Sequence, residues 1–185
     1  YNYDSNAILA HPIKSRKSDN LILGYKACHK QLKDAGITPI YQRLDNETSD
    51  DLLDKIKEKN LKYQLVTAHD HRNNPAERAI RTFKDHFTSI LNGTDQGFPA
   101  GLWDQLLPQT IITLNLLRNS LINPKLSAYH QVFGEFDFNS TPLAPLGTRG
   151  IVYVASKNRA SAFADHGKQG WYVGPCMHKY RNYSL

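Results

Sequence analysis

The sequence predicts an α/β fold, on three observations. Strand-like apolar runs alternate with amphipathic helical ones through the first half of the chain, the helices carry start and stop residues, and a long striped helix follows the third strand. The first run, Ala7-Ile8-Leu9-Ala10-His11-Pro12-Ile13, reads as a short strand in which Pro12 favours an edge or terminal position. Ser18-Asp19-Asn20 then offer capping oxygens to a helix whose Leu21, Ile22, Tyr25, His29 and Leu32 recur at helical spacing until Gly36 stops it. Ile37 to Leu44 supplies a second strand ending at Asp45. Ser49-Asp50-Asp51 caps an amphipathic helix from Leu52 to Lys59, and a third strand runs from Tyr63 to Thr67. Alternation of this kind implies a layered parallel sheet that carries functional groups at the carboxyl ends of its strands.

From Pro75 the pattern becomes a long helix, with Pro in the first turn and an apolar stripe of Ala76, Ile80, Phe83, Phe87 and Ile90 or Leu91. Arg78, Arg81 and Lys84 fall on its other faces, and Asn92-Gly93 ends it. A further apolar helix is expected from Leu102 to Leu121, interrupted early by Pro108, and a short one from Tyr129 to Phe133 stopped by Gly134. Beyond Thr141 the character changes. Ile151 to Val154 and Gly170 to Pro175 are strand-like, with a polar, basic stretch from Ser156 to Gln169 between them. A boundary near Phe138 to Pro142 therefore divides the chain into a core with a helical extension, 1–138, and a small β module, 139–185.

The 185 residues include 23 Lys or Arg against 17 Asp or Glu, a formal net charge of +6. That excess favours an anionic partner such as nucleic acid, through release of its counterions. Cys28 and Cys176 suggest neither a disulfide framework nor paired-cysteine zinc ligation, so a reducing compartment is the simpler reading. No apolar run approaches the length of a membrane span and the start lacks a signal-peptide pattern, so no membrane insertion is expected. The chain opens at Tyr1-Asn2-Tyr3-Asp4 without an initiator Met, as a fragment would.

Two carboxylates stand out. Asp45 closes the second strand and Glu77 opens the long helix, and hard-oxygen ligands projected from rigid elements are what a two-metal phosphodiester site requires. Each has an ordinary alternative. Asp45-Asn46 makes a good turn pair, and a carboxylate in a first helical turn is favoured by the helix dipole and the free backbone N–H groups. The joint order distinguishes the pair from either alone: strand-terminal Asp-Asn, helix, strand, polar loop, then Asn74-Pro75-Ala76-Glu77-Arg78 at a helix start. His69 and His71 flank Asp70 in that loop but lack further ligands at suitable spacing, and read as loop polars. Trp103, Tyr172 and Tyr180 read as packing residues rather than base-stacking platforms.

Tyr41-Gln42-Arg43-Leu44-Asp45-Asn46 and Asn73-Asn74-Pro75-Ala76-Glu77-Arg78-Ala79-Ile80-Arg81 together resemble the second Asp and the Glu of the D,D-35-E integrase core of LTR retrotransposons, most closely the copia type. Ser5 to Ser15, Leu102-Trp103, Asn115-Leu116-Leu117-Arg118, Tyr129-His130-Gln131-Val132-Phe133-Gly134 and Gly147 to Tyr180 extend the resemblance over nearly the whole chain. It departs at two places in the motif region. Asn74-Pro75 stands where the family has a glycine, and only 31 residues separate Asp45 from Glu77, a shortening placed around Lys55 to Gln64.

The resemblance implies a ribonuclease-H-like core lacking its first strand, with a helical extension and a small β-rich C-terminal segment. It implies a parent that trims and joins retrotransposon DNA ends to target DNA, with Mg2+ or Mn2+ held by Asp45, Glu77 and a first Asp expected upstream of Tyr1. Arg78, Arg81 and Lys84 would hold DNA phosphates. Homo-oligomers and a nuclear or virus-like-particle location are implied for the parent, and catalytic silence for the fragment. Asp4 is a poor substitute for the first Asp, having no strand to hold it. The alternative is a non-catalytic nucleic-acid-binding or assembly module derived from an integrase.

Overall fold

A computed structural model describes residues 1–44, 48–58, 61–66 and 75–185. The fold is α/β, with five α-helices and three small two-stranded sheets among the described residues. The chain divides into two compact units, the first comprising Tyr1–Lys84 and Leu114–Glu135, the second Asp85–Thr113 and Phe136–Leu185.

In the first unit, helix α1 (Ser18–Asp34) ends as its sequence predicts: Gly36 adopts φ +79°, and the Gly36 and Ile37 N–H groups donate to the carbonyls of Lys33 and Leu32. Its start differs from expectation. Ser18 makes no cap but donates its hydroxyl to Asp51 at 2.7 Å, which ties α1 to helix α2 (Asp50–Lys57). Strand β1 (Tyr41–Leu44) pairs in parallel with β2 (Lys62–Leu65), in a register that sets Leu44 beside Leu65. The Val66 N–H donates to the Leu44 carbonyl at 2.9 Å and extends the pairing to the carboxyl edge.

The expected strand from Ala7 to Ile13 has no ladder; only Ala7 forms an isolated bridge, to Asn2. Its first two residues are nevertheless buried, on opposite sides. Ala7 packs with Ala128 and Val132 on one side, whereas Ile8 packs with Ala79 and Leu114 on the other. The hydrogen bonds that a neighbouring strand would make to Ile8 come from the Asn115 side chain, which accepts from the Ile8 N–H at 2.8 Å and donates to its carbonyl at 2.8 Å. Gly24 of α1 lets Ile13 approach, since a Cβ there would lie 2.9 Å from the Ile13 Cγ2.

Helix α3 (Pro75–Asn92) begins at its Pro, where a missing N–H costs nothing. The expected stripe holds at Phe83, Phe87, Ile90 and Leu91 and differs only in the first turns. Ala79 and Phe83 face the first unit's core, while Ile80 is 54% exposed. Helix α4 (Leu107–Leu116) follows a 3-10 stretch, Ala100–Leu106, that is kinked at Leu102; Pro108 sits in the first turn of α4 rather than inside a longer helix. It also stops short of Leu121. Arg118 instead donates to the Asn6 carbonyl at 2.8 Å, and Asn119 bridges to Ser127. Helix α5 (Ala128–Phe133) is capped by the Ser127 hydroxyl, which accepts from the His130 N–H at 3.0 Å, and is ended by Gly134 at φ +86°.

The second unit is built on Leu106, Leu146 and Tyr172, with Phe87, Ile90, Leu91 and Phe98 packed against them. Each of these large side chains contributes about 1.5–3 kcal/mol when fully buried. Tyr172 donates its hydroxyl to the Gln109 side-chain oxygen at 2.5 Å, and Gln109 donates in turn to the Ala144 carbonyl at 2.7 Å, so the buried polar groups are paired. Strands β3 (Arg149–Tyr153) and β4 (Gly167–Trp171) form an antiparallel hairpin; β5 (Gly174–Pro175) and β6 (Tyr183–Ser184) pair beyond it. Tyr172 is buried as expected, whereas Tyr180 stands 66% exposed in the turn between β5 and β6. No helix among the described residues is long and apolar enough to cross a membrane.

Candidate functional site

The parallel pair β1–β2 provides the frame. Leu44 and Leu65 are register partners at its carboxyl edge, so the chain leaves that edge twice, once straight into Asp45 and once after Val66 on the way to α3. Ligand-bearing loops in parallel α/β sheets depart from this edge. Asp45 lies outside the described residues, as do His69, Asp70, His71, Asn73 and Asn74.

Glu77 is exposed in the first turn of α3, where the helix dipole and the unpaired N–H groups stabilise a carboxylate. What fixes it is the opposite side of the helix. Ala79 and Phe83 are held against Ile8 and Leu114, which sets the rotation of the first turns. At about 100° per residue, Arg81 and Lys84 then fall four and seven positions on, in the same solvent-facing row as Glu77. All three are exposed. Arg78 is exposed too but lies about a quarter turn away, in the row of Thr82, whose hydroxyl donates to the Arg78 carbonyl at 2.9 Å. Of the three basic residues singled out from sequence, two share the Glu77 face and one does not.

Such a row can do two things at once. A carboxylate at a helix start holds a hard cation, and cations one and two turns further along hold phosphates. Among the described residues no group of three or more His, Cys, Asp or Glu is disposed to hold a metal ion. Asp4 is exposed in a turn, and its backbone carbonyl accepts from the Leu121 and Ile122 N–H groups at 3.1 Å.

Sequence reading missed the residues that position this face. Asn115 is fully buried and clamps Ile8, the neighbour of Ala79, while Arg118 also hydrogen-bonds the Asn6 side chain. The signal was a carboxamide between Leu114 and Leu116 in a helix rich in apolar residues, a polar group that must have partners if it is buried.

No family model matches the chain, and no curated protein matches it. Among solved structures it is similar to the catalytic core domain of BIV integrase, at 18% identity over 70% of this chain and 80% of that one, with a TM-score of 0.49.

Proposed function

We propose that the chain belongs to a metal-dependent polynucleotidyl transferase of the integrase type, with a ribonuclease-H-like core, acting on DNA ends. The reading is supported by the order of elements: β1 ends at Leu44, immediately before Asp45, β2 pairs with it in parallel, and the next described element, α3, carries Glu77 in its first turn. The resemblance of the Asp45-Asn46 and Asn74-Pro75-Ala76-Glu77-Arg78 motifs to integrase cores supports it further.

The donor chemistry fits Mg2+ or Mn2+. Asp45 and Glu77 are hard-oxygen ligands, one following a strand and one carried on a helix anchored through Ala79. When bound, such ions polarise phosphodiester oxygens and activate a water or 3′-hydroxyl. Arg81 and Lys84, sharing the Glu77 face, hold the flanking phosphates and set the register of the DNA without reading its bases. Arg78 contributes general attraction from an adjacent row. A third carboxylate would complete the triad.

The test is the metal dependence of DNA binding. Mn2+ should tighten binding of a duplex carrying free 3′-hydroxyls to the native chain, and should fail to do so for Asp45→Asn and Glu77→Gln. Equal Mn2+ enhancement in all three proteins would remove both carboxylates from the site.

A further inference from the structure

The charge of this chain is unevenly spread. Residues 149–185 hold six Lys or Arg and a single Asp, a net +5 out of +6 for the whole chain, so the remaining residues are close to neutral. The same segment displays aromatic rings to solvent: Tyr153 is 70% exposed, Tyr180 66%, and Phe163 fully. Rings and cations are interleaved. The Arg159 guanidinium lies 5.4 Å from the centre of the Tyr153 ring, and is fixed there by donating to the Val154 carbonyl at 2.9 Å and to the Tyr153 hydroxyl at 3.0 Å. Tyr180 stands between Lys179 and Arg181, and the connection bearing Phe163 is bracketed by Lys157 and Lys168.

Each alternative use of such a surface leaves something unexplained. A duplex binder needs the cations but not the rings, because paired bases keep their faces stacked inside the helix. A membrane-inserting tip gathers its apolar side chains together, whereas here the three rings are separated by charge, two of them carry hydroxyls, and the exposed Ile151 and Val152 beside Tyr153 lie on a strand that opens with Arg149. Unpaired bases on a phosphate backbone use both features, since every base offers a π-face and every linkage an anion.

We propose that the β3–β4 hairpin and the loop joining its strands form a docking surface for single-stranded nucleic acid, with Tyr153 and Phe163 as stacking platforms and Lys157, Arg159 and Lys168 as phosphate contacts. The proposal does not rest on the transferase reading, which concerns the other unit. Pre-positioning of Arg159 by Tyr153 reduces the ordering cost of binding.

The test is fluorescence anisotropy of the 185-residue chain with a labelled oligothymidylate, using duplex DNA of equal length and phosphatidylserine vesicles as competitors. The oligothymidylate should bind, and Tyr153→Ala and Phe163→Ala should each weaken it roughly five- to hundredfold. Tyr153→Phe keeps the ring and the Arg159 bond to the Val154 carbonyl, so it should lose far less than Tyr153→Ala. Lys157→Ala and Lys168→Ala should each lower the salt slope by about 0.7. Because Phe163 touches solvent all round, its variant should melt as the native protein does, separating lost binding from lost folding. Native-like binding by both ring variants would overturn the proposal, as would better competition by duplex or by vesicles. So would an equal loss on Arg81→Ala, which would move the binding to the α3 face.

Discussion

The Asn115 carboxamide makes both hydrogen bonds to the Ile8 backbone that a neighbouring strand would make, at 2.8 Å each, with Asn115 fully buried. Ile8 and Leu114 in turn pack on Ala79, so this single side chain holds together the segment and the two helices that set the orientation of Glu77.

Asn115→Leu leaves a buried N–H and a buried carbonyl unpaired, each costing about 1–3 kcal/mol, so the variant should lose about 2–6 kcal/mol in urea denaturation. Asn115→Asp should be damaged at neutral pH and partly recover in acid, where the protonated carboxyl again both donates and accepts. A Leu variant within about 0.5 kcal/mol of the native chain would show that Ile8 finds other partners.

His86, half-buried on α3, has its Nε2 3.2 Å from the Thr113 hydroxyl, and burial holds its pKa below the ordinary value near 6.5. The unfolded chain therefore binds this proton more readily than the folded one. Its contribution is fully present above pH 6.5 and is lost as pH falls through the lowered folded value. Melting temperatures from pH 8 to pH 5 should fall on the acid side, and His86→Gln should flatten part of that fall. An unchanged slope in the variant would assign the pH dependence elsewhere.

Arg81→Ala and Lys84→Ala should each weaken duplex DNA binding and reduce the salt slope by about 0.9, one phosphate contact apiece. Arg78→Ala, a quarter turn away, should do less. Stability should stay within about 0.5 kcal/mol, since all three side chains are exposed. An Arg78 variant as damaging as the other two would mean that DNA follows a different face of α3.

Much of this architecture was legible because local chemistry and tertiary structure agree. Gly36 and Gly134 stop helices where left-handed backbone is needed, Pro75 opens one, and the parallel strands follow their apolar runs. The disagreements have physical causes. Ser18 looks like a cap but lies one position too far along, as the first helical residue after Lys17, and its hydroxyl donates instead to Asp51, a carboxylate on another helix. Ile80 matches the helical period of an apolar stripe, yet the core selects the neighbouring row through Ala79, because Ile8 approaches closely there. The expected helix to Leu121 ends at Leu116, since Arg118 is drawn to the Asn6 carbonyl, a partner remote in sequence. Within the candidate site, the residue types and their order were readable from sequence. The shared row of Glu77, Arg81 and Lys84, and the support it receives from Asn115, depend on helix rotation and became legible only with the fold.

The most direct test of the central claim, that Asp45 and Glu77 share a divalent ion, is a Mn2+ titration followed by electron paramagnetic resonance. It is run on the native chain, Asp45→Asn, Glu77→Gln and the double variant, in the absence of DNA. A shared site predicts that each single substitution weakens the same class of bound Mn2+ by roughly tenfold or more and that the second adds little once the first is made. Native-like Mn2+ binding in either single variant, or losses that simply add in the double variant, would contradict a shared site.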